Sequence, residues 1–213
     1  MNKKELTIFS LVSAALLYTS WKSILPMGVT EVLGFITGAA CVWLTVKQNI
    51  WNWPIGIANN VFFIVLFLQA RLFADMGLQV VYIVLGILGW YWWLKGGENK
   101  TELKVSHVGI NTVLILLMIT ILTTFGMTVY LRQINDSAPF WDALTTVMSL
   151  VAQYLLTRKI LENWYVWISA DVIYIWLYAY KGLYLTSVLY ALFLCMCIVG
   201  LMQWRKSLMG GTK

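Results

Sequence analysis

Residues 162–178 read ENWYVWISADVIYIWLY. One carboxylate, Asp171, stands inside an apolar and aromatic run, and Trp164, Trp167, Asp171, Tyr174 and Tyr178 recur at spacings of 3, 4, 3 and 4. That period puts the five on one face of an α-helix. A helix that crosses a bilayer needs about 20 residues. Asp171 then lies about 10 Å into the span at about 1.5 Å per residue. A carboxylate at that depth is costly in hydrocarbon, so it faces a cavity or a partner.

A second stretch repeats the first. Shifting the chain by 111 residues lays 28–93 on 139–204 without a gap, with thirteen identical pairs among sixty-six. Leu and Ile pairs are expected by chance in so apolar a chain. Asn52/Asn163, Trp53/Trp164, Gly89/Gly200 and Trp93/Trp204 are not, nor are the similar pairs Glu31/Asp142 and Lys47/Arg158. Each repeat holds three candidate spans, and one further span between them restores the same orientation. Parallel repeats of this kind are a transporter architecture, with the substrate site near the midplane.

The composition agrees with the spans. Of 213 residues, 61% are hydrophobic and only 11% charged, against roughly 25% charged in an ordinary soluble domain. The mean hydropathy is +0.77. A soluble fold of this length cannot hide that much apolar surface, which excludes a soluble enzyme, a nucleic-acid-binding domain and a disordered regulator. Apolar runs place spans at about 5–25, 29–47, 53–70, 74–94, 107–131, 140–157, 164–181 and 183–205. The expected organisation is an N-terminal helix in 1–27, spanning or interfacial, a first bundle in 28–95 and a linker with one span in 96–138. A second bundle in 139–205 and a tail in 206–213 follow.

If all eight spans cross from a cytoplasmic N-terminus, eleven Lys and Arg fall inside and four (Lys22, Arg71, Arg132 and Lys181) outside. The net charge of +6 then reports orientation, with a cytoplasmic C-terminus, and not nucleic-acid binding. Trp90, Trp92, Trp93 and Trp204 mark the cytoplasmic boundary as belt residues.

Other polar positions are candidates for a site. Asn60 is the repeat equivalent of Asp171 and lies beside Asn59. Gln79, Tyr82, Gly86 and Gly89 share one side of their span, and Asp142, Thr146, Ser149 and Gln153 share another. Gln79 and Gln153 suit the hydroxyls of a sugar. Glu31 and Asp142 sit at span starts, where the helix dipole favours anions, and are read as capping residues. Gly34 and Gly38 form a small-residue face for close packing. Pro54 falls in the first turn of its span, where its missing N–H costs little.

No Lys or Arg lies at the depth of Asp171 in any span. A cationic ligand, a water-filled site or a protonated carboxyl remain, with interhelical bonding as the alternative. The aromatic face favours a flat cation, since each Trp or Tyr face offers roughly 0.5–2 kcal/mol to a positive ring. Cys41, Cys195 and Cys197 lie in apolar runs and are read as packing residues, the last two on different helix faces, and no cofactor or metal is expected. His107, the only histidine, falls in a polar connector and is read as a solvated loop residue with no acidic neighbour. An intramembrane enzyme would need a nucleophile–base pair, a metal motif or two facing carboxylates, none of which the spans supply. No Walker A motif is present. A non-transporting subunit or receptor is the alternative from another class.

The stretches WNWPIGIANN at 51–60, GWYWW at 89–93, PFWDALTTVMSLVAQYLLTRK at 139–159 and ENWYVWISADVIYIWLY at 162–178 resemble the PnuC family of bacterial vitamin transporters. The resemblance covers about 28–206. It implies an all-α membrane protein with 3+1+3 spans in two parallel repeats, similar to a SWEET sugar transporter, in the bacterial inner membrane. It also implies uptake of nicotinamide riboside for NAD biosynthesis by facilitated diffusion, with cytoplasmic phosphorylation trapping the product. Trp164, Trp167, Asp171 and Tyr174 match the family's Trp-x-x-Trp and Asn/Asp-x-x-Tyr positions, and Asn59 and Gln79 match polar positions of the first repeat. Many members carry Asn where this chain has Asp171, and relatives are assigned to thiamine, riboflavin or deoxynucleosides. The partners implied are a vitamin (nicotinamide riboside or thiamine) and the bilayer, and a homo-oligomer is compatible with them.

Overall fold

A computed structural model of the chain describes residues 3–22, 24, 28–69, 73–182 and 184–210. Residues 1–2 and 25–27 of the leading segment, the Lys3, Lys4 and Glu31 side chains, Arg71 and the tail beyond 210 lie outside the described residues. Eight α-helices carry the described fold: α1 (Lys3–Trp21), α2 (Val29–Val46), α3 (Asn52–Gln69), α4 (Phe73–Lys95), α5 (Ile110–Gln133), α6 (Pro139–Thr157), α7 (Asn163–Tyr180) and α8 (Tyr184–Gly210). The spans read from the sequence fall on these helices, with ends displaced by a few residues.

The repeat is visible in backbone detail. The ends of α2 and α6 and the starts of α3 and α7 are each 111 residues apart. The turns between the paired helices also correspond. Gln48 and Lys159 both take a left-handed conformation, with φ of 53° and 54°. Gln48 N–H donates to Thr45 C=O and Asn49 N–H to Leu44 C=O, as Lys159 N–H does to Leu156 C=O and Ile160 N–H to Leu155 C=O. A left-handed residue just past a helix end lets the following amides satisfy the last free carbonyls. Neither position is glycine, so each turn carries strain that the surrounding bonds must hold.

Apolar side chains point outward. On α5, Ile110, Leu114, Leu117, Ile121, Leu122 and Phe125 are all exposed. In water this would be an aggregation surface, and against lipid it is the expected exterior. Four described stretches are long and apolar enough to cross a bilayer by length and composition: Asn52–Gln69, Met76–Lys95, Ile110–Gln133 and Thr186–Gly210. This is a multi-pass membrane protein. Helix α6 is less apolar because its polar side chains serve the interior, where Thr145, Ser149 and Thr157 are buried.

The chain divides into two compact units, residues 1–87 and 88–213, with the division inside α4. In the first, α2 packs on α3 and on α1. A Cβ on Gly34 would come within 2.5 Å of the Phe63 ring, so this glycine is a true close approach. Gly38 does not share that role: a Cβ there would meet nothing within 4 Å. Lys47 Nζ pairs with Glu5 Oε1 at 3.1 Å, tying α1 to the end of α2. In the second unit, α6 lies against both α5 and α7, and α8 packs along α7. Trp93 and Trp204 are 3% and 0% exposed, with ring centroids 5.8 Å apart. They are core residues and not belt anchors: Trp93 Nε1 donates to the Leu156 carbonyl, and Trp204 stands edge-on to Trp164. Trp90 remains exposed, as a boundary residue would be.

Candidate functional site

The aromatic stripe of α7 meets α8 along its length. A Cβ on Gly200 would lie 2.5 Å from the Trp164 ring, and Trp164 stands edge-on to Trp204 at 5.4 Å. One level away, the Cys197 thiol donates to Asp171 Oδ2 at 3.4 Å. Further along, Tyr190 of α8 lies 4.5 Å from the Tyr174 ring and 5.2 Å from Tyr178. Ser187 Oγ then donates to the Ile175 carbonyl at 2.8 Å. Tyr190, Cys197, Gly200 and Trp204 follow helical spacing on α8, so the seam is two complementary faces.

Asp171 is 4% exposed, and its neighbours set its chemistry. A thiol is a weak donor. Among the described residues no lysine, arginine or histidine lies within ion-pair distance of this carboxylate. Tyr174 also turns toward α6, where its hydroxyl lies 3.4 Å from Ser149 Oγ. Ser149 Oγ in turn donates to the Thr145 carbonyl at 2.8 Å. The second unit therefore collects a carboxylate, a phenol and a hydroxyl inside an aromatic surround. Trp167 and Gln153 are half-buried, whereas Trp164 is 2% exposed and its indole N–H has no acceptor among the described residues.

The first-repeat candidates Asn59, Asn60, Gln79 and Tyr82 are all half-buried in the first unit. Asn59 Nδ2 is engaged by α2, donating to the Gly34 carbonyl and to Thr37 Oγ1. Gly86 packs against Ile57, whose Cγ1 would lie 3.1 Å from an added Cβ.

Two sequence expectations are corrected. Asp142 does not cap its helix: its Oδ2 accepts from Lys181 Nζ at 2.7 Å, joining the start of α6 to the end of α7. The Ala138 N–H at that terminus is instead bonded to Asp136 Oδ1 at 2.7 Å. His107 has an acidic neighbour after all. Its Nδ1 lies 2.7 Å from Glu162 Oε1, while Glu162 Oε2 accepts from the Val108 N–H at 3.0 Å. Glu162 lies 55 residues away in the chain, and the α6–α7 turn brings it there. The cysteines divide as their spacing requires, with Cys195 exposed and Cys197 buried. Cys197, Tyr190 and Lys181 were not singled out as partners in the sequence. The helical spacing of Tyr190, Cys197, Gly200 and Trp204 was the signal available.

The sequence profile described as "Nicotinamide mononucleotide transporter" matches residues 28–206. The nicotinamide riboside transporter PnuC of Escherichia coli (strain K12) is 30% identical, with 83% of this chain and 85% of the relative covered. The riboflavin/roseoflavin transporter RibM of Streptomyces davaonensis is 22% identical, with 82% and 84% covered. In fold the chain is similar to a crystal structure of the vitamin B3 transporter PnuC, with a TM-score of 0.67 and 23% identity over 93% of this chain and 91% of that one. The outward apolar surface, the repeat and the matched profile agree, and the chain belongs to the nicotinamide mononucleotide transporter family, whose members are membrane transporters and not enzymes.

Proposed function

We propose that the chain carries nicotinamide riboside into the bacterial cell across the inner membrane by facilitated diffusion. The observation that carries this reading is the Asp171 carboxylate, buried among aromatic rings with the Cys197 thiol as its one hydrogen-bond partner among the described residues. A pyridinium ring supplies the missing positive charge, and its flat face suits Trp167 and Tyr174. Trp164, whose indole N–H has no acceptor among the described residues, forms the floor of the site. Gln153, in the same unit, binds the ribose, and Asn59, Asn60, Gln79 and Tyr82 are substrate-binding positions of the first unit. The names of the Escherichia coli and Neisseria mucosa relatives, both nicotinamide riboside transporters, support the same substrate.

On this reading the helices form two parallel three-helix bundles, 28–95 and 139–205, joined through the α5 linker. The leading helix α1 is accessory, and the C-terminus is cytoplasmic. Rocking of one bundle against the other exposes the site to each side in turn. Phosphorylation of the product in the cytoplasm adds negative charge, which Asp171 repels, and so traps it. The test is counterflow in proteoliposomes without an ion gradient, with nicotinamide riboside, thiamine and riboflavin as competing solutes. Exchange of nicotinamide riboside alone is the expected result. Accumulation that requires an imposed proton or sodium gradient would overturn facilitated diffusion, preference for thiamine would overturn the substrate, and no movement of any solute would favour a receptor or subunit.

A further inference from the structure

Outside the α7–α8 seam, the second unit holds a cavity of about 170 Å³ lined by Trp92, Gly96, Leu103, Ser106, Arg158 and Ile160. Its walls are fastened by the backbone. At the end of α4, the Gly96 N–H returns to the Trp92 carbonyl at 2.7 Å, a turn so tight that a Cβ would lie 2.5 Å from that oxygen. The chain then doubles back, and the Leu103 N–H bonds the Trp93 carbonyl at 3.0 Å. The far wall is the α6–α7 turn. Ser106 bridges it through its N–H to the Lys159 carbonyl and through its carbonyl to the Leu161 N–H at 2.9 Å. The Glu162 carboxylate, bound by His107 and the Val108 N–H, holds the same loop in place.

Arg158 lines the cavity and is exposed. Its guanidinium lies over the Trp92 ring, 4.5 Å from the centroid. A cation–π contact consumes none of the five N–H donors of the fork, so they stay available to an anion. No carboxylate among the described residues lies within ion-pair distance of it. Segments 95–109 and 158–162 together carry five cations, Lys95, Lys100, Lys104, Arg158 and Lys159, against Glu98, Glu102 and Glu162. Glu162 is already committed to His107. A planar guanidinium with no ion-pair partner among the described residues, lining the same cavity as Ser106 in a net-positive surround, is chemistry that recognises a phosphate oxyanion. The cavity also lies just past the ends of two helices, α4 and α6, where an anionic headgroup would sit beside a basic pocket.

We propose that this cavity binds a phosphate group, supplied by the headgroup of an anionic phospholipid or by free phosphate. Arg158 grips the oxyanion, Ser106 donates from the loop, and Trp92 holds the guanidinium in place. The ligand then clamps the 96–109 loop to the α6–α7 turn. This site is separate from the proposed vitamin site, and its test does not depend on which solute is carried.

The test uses the purified full chain in neutral detergent, titrated with phosphatidylglycerol or phosphatidylcholine and followed by native mass spectrometry. A parallel titration with inorganic phosphate is followed by phosphorus-31 line broadening. The wild type should prefer phosphatidylglycerol to phosphatidylcholine, and Arg158→Gln should weaken that binding by about tenfold, as loss of a charge-assisted bond requires. Ser106→Leu keeps every charge but fills the cavity, and should weaken it similarly. It also decides the matter if Arg158→Gln does not fold. Broadening by inorganic phosphate that Arg158→Gln and Ser106→Leu abolish, with no preference between the lipids, assigns the site to free phosphate. Equal binding by wild type and both variants, binding of neither probe, or loss in Arg158→Gln with full retention in Ser106→Leu would each overturn the cavity as the site.

Discussion

The Cys197 thiol and the Asp171 carboxylate face each other across the α7–α8 seam at 3.4 Å, both at most 4% exposed. A buried carboxylate whose partner is so weak a donor is poorly compensated, and a cation that enters beside it gains accordingly. Asp171→Asn keeps the shape and removes the charge. In counterflow it should raise the KM for nicotinamide riboside by about tenfold, on the order of 1.4 kcal/mol. Cys197→Ala should lower thermal stability by about 1 kcal/mol, and Cys197→Ser should restore most of it. An unchanged KM in Asp171→Asn removes the charge-pairing role.

The seam at its other end depends on a missing side chain. A Cβ on Gly200 would lie 2.5 Å from the Trp164 ring, which is locked against Trp204. Gly200→Ala should therefore cost about 1–3 kcal/mol through overpacking. Gly38→Ala, where nothing lies within 4 Å, is the control and should cost nothing or stabilise slightly. Thermal unfolding in detergent separates the two, and equal melting points would show that the indole yields freely.

Glu162 holds the 101–109 segment through two bonds, to His107 and to the Val108 N–H. Glu162→Ala should free that segment while α6 and α7 keep their protection. Hydrogen exchange should speed up at residues 106–109 above all. His107→Ala removes only one of the two bonds and should give the smaller change. If the two variants exchange alike, the carboxylate contributes nothing through Val108.

Lys159, on the left-handed turn after α6, is buried against the Trp93 ring at 4.6 Å. Burial lowers its pKa below the ordinary 10.5, and the field of Glu102 only partly opposes that. The folded chain thus loses this proton before the unfolded chain does. Its contribution is unfavourable at neutral pH and is relieved as pH rises from the lowered value to 10.5. Urea or thermal unfolding of the wild type should include a gain in stability across that alkaline window. Lys159→Met should lack it, and a slope that persists in the variant would assign the effect to another group.

The one-sided spacing of Trp164, Asp171 and Tyr174 was legible because helical periodicity is local and survives without knowledge of any neighbour. The repeat extended to the helix starts. Asn52 and Asn163 announced equivalent helix starts, and the structure gives both turns a left-handed residue at the same step, Gln48 and Lys159. The roles of individual tryptophans were not legible. Trp90 and Trp93 differ by three positions, yet one is exposed and the other is 3% exposed. The contact of Trp93 with the Trp204 ring and the bond from Trp93 Nε1 to the Leu156 carbonyl, 3.1 Å long, separate them.

By itself, then, the sequence determined the helix order, the repeat at 111 residues and an apolar exterior, since each follows from composition and periodicity along one helix. The tertiary structure alone decided which polar groups meet. Asp171 finds Cys197 26 residues on, Asp142 finds Lys181 39 residues on, and His107 finds Glu162 55 residues on. Those partners are chosen by how neighbouring helices and their turns pack. No local pattern encodes that choice, because a polar side chain in a membrane bundle is satisfied by whichever group the packed interior brings within reach.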